Sequence, residues 1–191
     1  MKKIIGLITA IVTVGLISCN NNQTQTKDKP LQQDKTQRSD TISKAMEEEI
    51  KYETYCNQRY NFCIDYPSGL LFPQGESDSG DGQVFKSKDA ENTLTVYRDF
   101  RDNINPDQTY TIEDAYNEDS RGNNSDKPKR VITYKKLGKS YFVVSGYNEG
   151  KIFYQKTAIT GGELKTCLLE YKEIDKEVYN KISERIFKSF K

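Results

Sequence analysis

Apolar and polar residues alternate along Arg59-Tyr60-Asn61-Phe62-Cys63-Ile64-Asp65-Tyr66. This places Tyr60, Phe62, Ile64 and Tyr66 on one face of a half-buried strand. Pro67-Ser68-Gly69 ends the strand, and Leu70, Leu71 and Phe72 follow as a core-covering segment. Gln83–Ser87 and Thr93–Arg98 read as a hairpin around Lys88–Asn92. Thr111-Ile112-Glu113-Asp114 is a capping-box start for a short helix through Tyr116. A polar loop, Arg121 to Arg130, leads into strand-like runs at Arg130–Lys136, Ser140–Tyr147, Lys151–Ile159 and Leu164–Tyr171. The last two are joined through Gly161-Gly162. Asp175 is placed to cap a final helix whose apolar stripe is Val178, Ile182, Ile186 and Phe190, with Tyr179 and Phe187 beside it. Short loops between successive strands require antiparallel pairing. The pattern predicts an α+β fold, a twisted antiparallel sheet of about six strands with flanking helices.

The N-terminal pattern is of another kind. Lys2 and Lys3 precede an apolar run from Ile4 to Ile17, the layout of a secretory signal peptide and too short for a comfortable membrane span. It ends in Leu16-Ile17-Ser18-Cys19, which resembles the bacterial lipobox. The resemblance implies cleavage after residue 18, acylation of Cys19 and attachment to a lipid bilayer in the cell envelope. Each buried acyl CH₂ contributes about 0.8 kcal/mol to such an anchor. Asn20 follows the cysteine, where an Asp in lipoproteins of double-membraned bacteria tends to mark inner-membrane retention. By that analogy the address is the outer membrane. Residues 19–43 are rich in Asn, Gln, Thr, Lys and Asp and hold few large apolar side chains. Such a stretch cannot offset its ordering entropy, and it reads as a disordered tether with a mean reach of roughly 25 Å. Asp40–Tyr52 spaces Ile42, Met46 and Ile50 four apart and reads as a short helix opening the domain, 44–191.

The run Arg59–Pro67, then Gly80-Asp81-Gly82-Gln83-Val84-Phe85, then Leu94-Thr95-Val96-Tyr97, resembles a group of small exported bacterial proteins of unassigned function. Ser145-Gly146-Tyr147, Phe153-Tyr154-Gln155-Lys156 and the Ile186–Phe190 helix end are similar too. The order of strands and helices resembles the PsbP-like fold over about residues 52–191. The resemblance implies a fold and transfers no activity. The PsbP family proper binds metal and docks on photosystem II, and nothing in this sequence matches those sites.

Composition narrows the chemistry. The chain has 191 residues, 29 Lys+Arg, 28 Asp+Glu and no His. Without His there is no Ser-His-Asp or Cys-His nucleophile and no His-containing zinc site. Balanced charge argues against nucleic acid as a partner, and no cofactor motif is read. With Cys19 acylated, Cys56, Cys63 and Cys167 remain in an oxidising compartment. Cys56 and Cys63 flank a short polar turn and are the favoured disulfide, closing a loop worth about 2 kcal/mol. The alternative is Cys63–Cys167 across neighbouring strands. Otherwise Cys167 stays a free, buried thiol.

Three clusters are candidate sites. Glu76, Asp78 and Asp81 alternate in the Glu76–Gly82 loop as calcium ligands do, but the EF-hand frame fails, and a turn is the expected reading. Asp99, Asp102, Asp107, Glu113, Asp114, Glu118 and Asp119 make an acidic segment. Two of these carboxylates converging in a cleft would support glycoside hydrolysis. Lys127, Lys129, Arg130, Lys135 and Lys136 form a basic counterpart that pairs with the acids or faces an anionic partner. Tyrosine is abundant, thirteen in all, and Tyr110, Tyr116, Tyr134, Tyr141, Tyr147 and Tyr154 recur through the sheet region, as core and strand packing or as a recognition surface. The expectation is a lipid-anchored, non-enzymatic binding or scaffolding module with an envelope protein as partner. A carboxylate hydrolase and a divalent-cation binder through residues 76–82 are the alternatives.

Overall fold

The computed structural model describes residues 50–103, 109–122 and 129–191. The expected signal peptide, Cys19 and the tether lie outside these residues, as do Asp107, Lys127 and most of the Asp40–Tyr52 helix. Among the described residues nine strands run β1 (Tyr52–Asn57), β2 (Phe62–Pro67), β3 (Phe72–Glu76), β4 (Gly82–Lys86), β5 (Thr93–Asp99), β6 (Val131–Leu137), β7 (Tyr141–Asn148), β8 (Lys151–Thr160) and β9 (Glu163–Lys172). Helix α1 (Ile112–Asp119) lies between β5 and β6, and α2 (Lys176–Ser189) follows β9. A 3-10 turn over Phe100–Asn103 continues β5. Every strand pairing is antiparallel.

The single sheet of about six strands is corrected to two. Seven strands form one sheet in the order β3-β4-β5-β9-β8-β7-β6, and β1-β2 form a separate hairpin. Tyr52 therefore opens a strand rather than closing a helix. The residues after Phe72 form β3, although Pro73 and Gly75 interrupt its pattern and a bulge separates Pro73 from Glu76. Strand β2 begins at Phe62, because Gln58–Asn61 turn the hairpin, with Asn57 Oδ1 accepting from the Tyr60 N–H at 2.9 Å. At Gly161 and Gly162 φ is +63° and +82°, the left-handed pair that a two-residue hairpin requires.

The two sheet faces carry different cores. Along β9, Cys167, Leu169 and Tyr171 face one side and Leu164, Thr166 and Leu168 the other. On the first side they join Leu94 and Val96 of β5 beneath Phe62 and Ile64 of β2 and Tyr179, Ile182, Ile186 and Phe190 of α2. The stripe expected for the last helix is thus the buried one. Its C-terminus is capped from the sheet, where Lys156 Nζ donates to the Phe187 and Phe190 carbonyls at 2.8 and 3.1 Å. Asp175 stands at the N-cap position without capping, because its carboxylate accepts from Asn92 Nδ2 at 2.8 Å. On the other side Ala115 of α1 packs on Phe142, Val144, Phe153 and Leu164. There Thr111 and Asp114 close the expected capping box.

Cys56 and Cys63 lie opposite each other on β1 and β2 and form the disulfide, while Cys167 is a free, buried thiol. Burial pushes the Cys167 thiol up, away from the reactive thiolate. Iodoacetamide should therefore leave Cys167 unmodified in the native chain and alkylate it after unfolding in urea, read by peptide mass. Rapid native labelling would contradict the packing. Replacing Cys56 and Cys63 together by Ser should lower unfolding stability by about 2 kcal/mol in a denaturant titration.

Candidate interaction edge and the ionic cluster behind it

The end of β5, the 3-10 turn and α1 bring the acidic segment onto the second sheet face. There Arg101 lies between three carboxylates. Its guanidinium contacts Asp99 at 2.7 Å, Asp119 at 3.0 Å and Glu118 at 3.1 Å. Gln155 of β8 donates to Asp119 at 2.7 Å and accepts from Arg130 at 2.9 Å. Thr157 and Thr166 share a hydrogen bond at 2.9 Å, and Thr166 reaches Asp99 at 3.4 Å. Beside this group, Arg98 pairs with Asp102 at 2.8 Å and donates to the Leu164 carbonyl at 3.1 Å.

Burial opposes the Arg101 charge, but the hydrogen bond to Asp99 and the charges of Asp119 and Asp99 outweigh it and hold the proton more firmly than usual. Burial lowers the proton affinity of Arg130, with Asp119 opposing. The Arg130 guanidinium lies 4.1 Å from the Phe153 ring centre, so an aromatic face replaces part of its lost hydration. Burial and then Asp99 push the Tyr97 hydroxyl up to about 12.

Asp99 and Asp119 do converge, as the hydrolase reading asks. However, the same guanidinium engages both, and Thr166 and Gln155 supply further donors. Their oxygens are thus engaged by donors of the protein itself. Asp99, Asp102, Glu118 and Asp119 pair with Arg98 and Arg101 instead of with the expected basic counterpart. Of the described residues of the expected basic counterpart, Arg130 alone enters the cluster, through Gln155. Lys135 and Lys136 are exposed on β6.

Arg130 sits at the start of β6 and is 3% exposed, while Val131 and Tyr134 next to it are 52% and 51% exposed. Tyr147 of β7 lies opposite Val131 on the same face and is also exposed. Packing accounts for Tyr66, Tyr171 and Tyr179, which are buried, but not for Tyr134 and Tyr147. Gly146 fits this edge tightly, since a Cβ there would lie 1.9 Å from the Val131 carbonyl oxygen. A groove of about 460 Å³ runs along β6, lined by residues 120–122 and 130–135. Arg121, Arg130 and Lys135 line it, and among the described residues no carboxylate does. A second groove, of about 570 Å³, lies between α2 and β2. Its Arg185 and Lys188 are paired with Asp65 and Glu184.

The 76–82 loop keeps its carboxylates occupied or apart. Glu76 accepts from the Tyr55 hydroxyl at 2.8 Å, Asp81 accepts from the Ser77 hydroxyl, and Asp78 is exposed. Among the described residues no group of three or more cysteine or carboxylate side chains is arranged to hold a metal ion.

No family model matches the chain, and no curated protein does. Among solved structures it is similar to cyanobacterial PsbP (CyanoP) from Synechocystis sp. PCC 6803. The match has a TM-score of 0.51 and 16% identity over 74% of this chain and 92% of that one. The fold is PsbP-like, and at this identity the likeness is one of fold alone.

Replacing Arg101 by Met leaves Asp99 and Asp119 close together without their shared cation. The expected loss is about 3–5 kcal/mol at pH 7. Acid neutralises carboxylates, and the repulsion that the lost cation leaves uncompensated falls as they are neutralised. The deficit relative to the native chain should therefore shrink towards pH 4. Urea titrations at both pH values check this, and a pH-independent deficit would exclude charge burial as its cause.

Proposed function

We propose that the protein is a lipid-anchored, non-enzymatic binding or scaffolding module of the cell envelope. The observation that carries the binding reading is the β6 edge, with Val131, Tyr134 and Tyr147 exposed together beside a groove that Arg121, Arg130 and Lys135 line. Solvated aromatic and aliphatic side chains grouped at one edge are the composition of a contact surface. The carboxylates that would support hydrolysis are instead engaged by Arg101. The anchoring reading rests on Lys2, Lys3, the apolar run and Leu16–Cys19. Among the described residues no helix is long and apolar enough to cross a membrane.

Two measurements test the proposal. The native chain should stay with the membrane fraction after carbonate washing and should incorporate an alkynyl fatty acid, whereas Cys19→Ser should do neither. A Cys19→Ser chain that remains membrane-bound after the wash would refute the anchor. Crosslinking of the anchored chain in its own cells should yield discrete adducts with an envelope protein. Absence of any adduct across surface-placed crosslinkers would refute the binding role.

A further inference from the structure

The two outer edges of the seven-stranded sheet differ. Strand β3 is blunted against pairing. It contains Pro73, a bulge and Gly75 at φ +94°, and Gln74 Nε2 already occupies the Phe72 carbonyl at 2.8 Å. Strand β6 has seven residues and neither Pro nor Gly. Its bulge lies between Ile132 and Tyr134, so Tyr134–Leu137 pairs regularly with β7. Among the described residues no strand covers its outer side.

We propose that β6 takes an extended, acidic segment of a partner protein as an added antiparallel strand. This inference rests on the binding-module reading and names the chemistry of its partner. Backbone pairing would supply the register, Tyr134 and Val131 the apolar contacts, and charge the choice of partner. Arg121, Lys135 and Lys136 stand along the edge without a carboxylate partner among the described residues, in a chain whose total charge is nearly balanced. Lys135 and Lys136 point to opposite sheet faces, so alternating Glu or Asp on an incoming strand would meet the cation that shares their face. A second copy would bring an identical row of cations against them, which opposes edge-to-edge self-pairing. The lysines that guard this edge against itself are thus the ones that admit an acidic strand.

The test uses the full chain in detergent with a synthetic peptide alternating Glu with Val and Thr, and hydrogen exchange as the readout. Slowed exchange of β6 amides is expected with this peptide, but not with its Lys-for-Glu counterpart, and the effect should weaken as salt is raised. Lys135→Glu with Lys136→Glu, both exposed and outside the core, should weaken binding about tenfold. The proposal is overturned by equal protection from the Lys peptide, by no protection, or by protection that appears without peptide as the protein is concentrated, which would indicate self-pairing. If the cellular crosslinks persist unchanged in the Lys135→Glu/Lys136→Glu chain, the binding module stands and the β6 assignment fails. If no crosslink forms with the native chain, the binding reading itself fails.

Discussion

The architecture depends on β9 being buried on both faces. It lies between β5 and β8, and its residues alternate between two cores. A strand in that position requires a cover on each side of the sheet. On one side α2 and the disulfide-closed β1-β2 hairpin supply a dry, largely aromatic and aliphatic layer. On the other the only helix among the described residues is α1, eight residues long, and it brings Ala115 fully into the core. That cover is too small to fill the face with hydrocarbon. The remaining area is occupied by Thr157, Thr166, Gln155 and the charges around Arg101.

Such a cluster is weak evidence of stability, because desolvating several charges offsets much of their attraction. Its effect is positional. Arg101 comes from the turn after β5, Asp119 from the end of α1, Gln155 from β8 and Arg130 from the start of β6. One guanidinium and one amide therefore tie four separate parts of the chain to a single geometry. An apolar patch of equal area would allow α1 to slide, whereas directional hydrogen bonds do not. The same contacts hold Arg130 inward over Phe153 while its neighbour Val131 points to solvent. The exposed edge is in this way positioned from behind by the buried charges.

How much of this was legible depended on whether the signal was local. Period-two alternation located β2, strand-like runs between turn residues located β4–β9, and the stripe of four-residue spacing located α2, because each of those patterns is local to one element. Tyr52–Asn57 escaped because Glu53 and Thr54 are both exposed and the alternation never develops. Phe72–Glu76 escaped because Pro73 and Gly75 argue against a strand, and an edge tolerates them where a central position would not. The acidic and basic segments were visible as composition. Their partners were not, since Arg101 and Asp119 meet only after α1 folds back on the sheet, and Arg130 meets Asp119 only through Gln155. Tyr134 was indistinguishable in sequence from the buried tyrosines, because exposure at an outer edge is set by strand order.

The proposed anchor and the proposed edge contact are physically complementary. Strand addition relies on backbone hydrogen bonds, each worth only about 0.5–1.5 kcal/mol net, and on a narrow row of side chains. For free proteins such an interface is small and short-lived. Were the domain held at Cys19 as proposed, by the expected tether of roughly 25 Å reach, it would explore only a thin layer above the bilayer. A partner confined to the same layer meets it at an effective concentration of about millimolar order. Under that confinement a modest edge contact becomes substantially occupied. Specificity then falls to the element that can reject wrong partners at a distance, which is the row of cations along β6. On this proposal anchor, tether and charged edge divide affinity from selectivity, and each would have a distinct part in one mechanism.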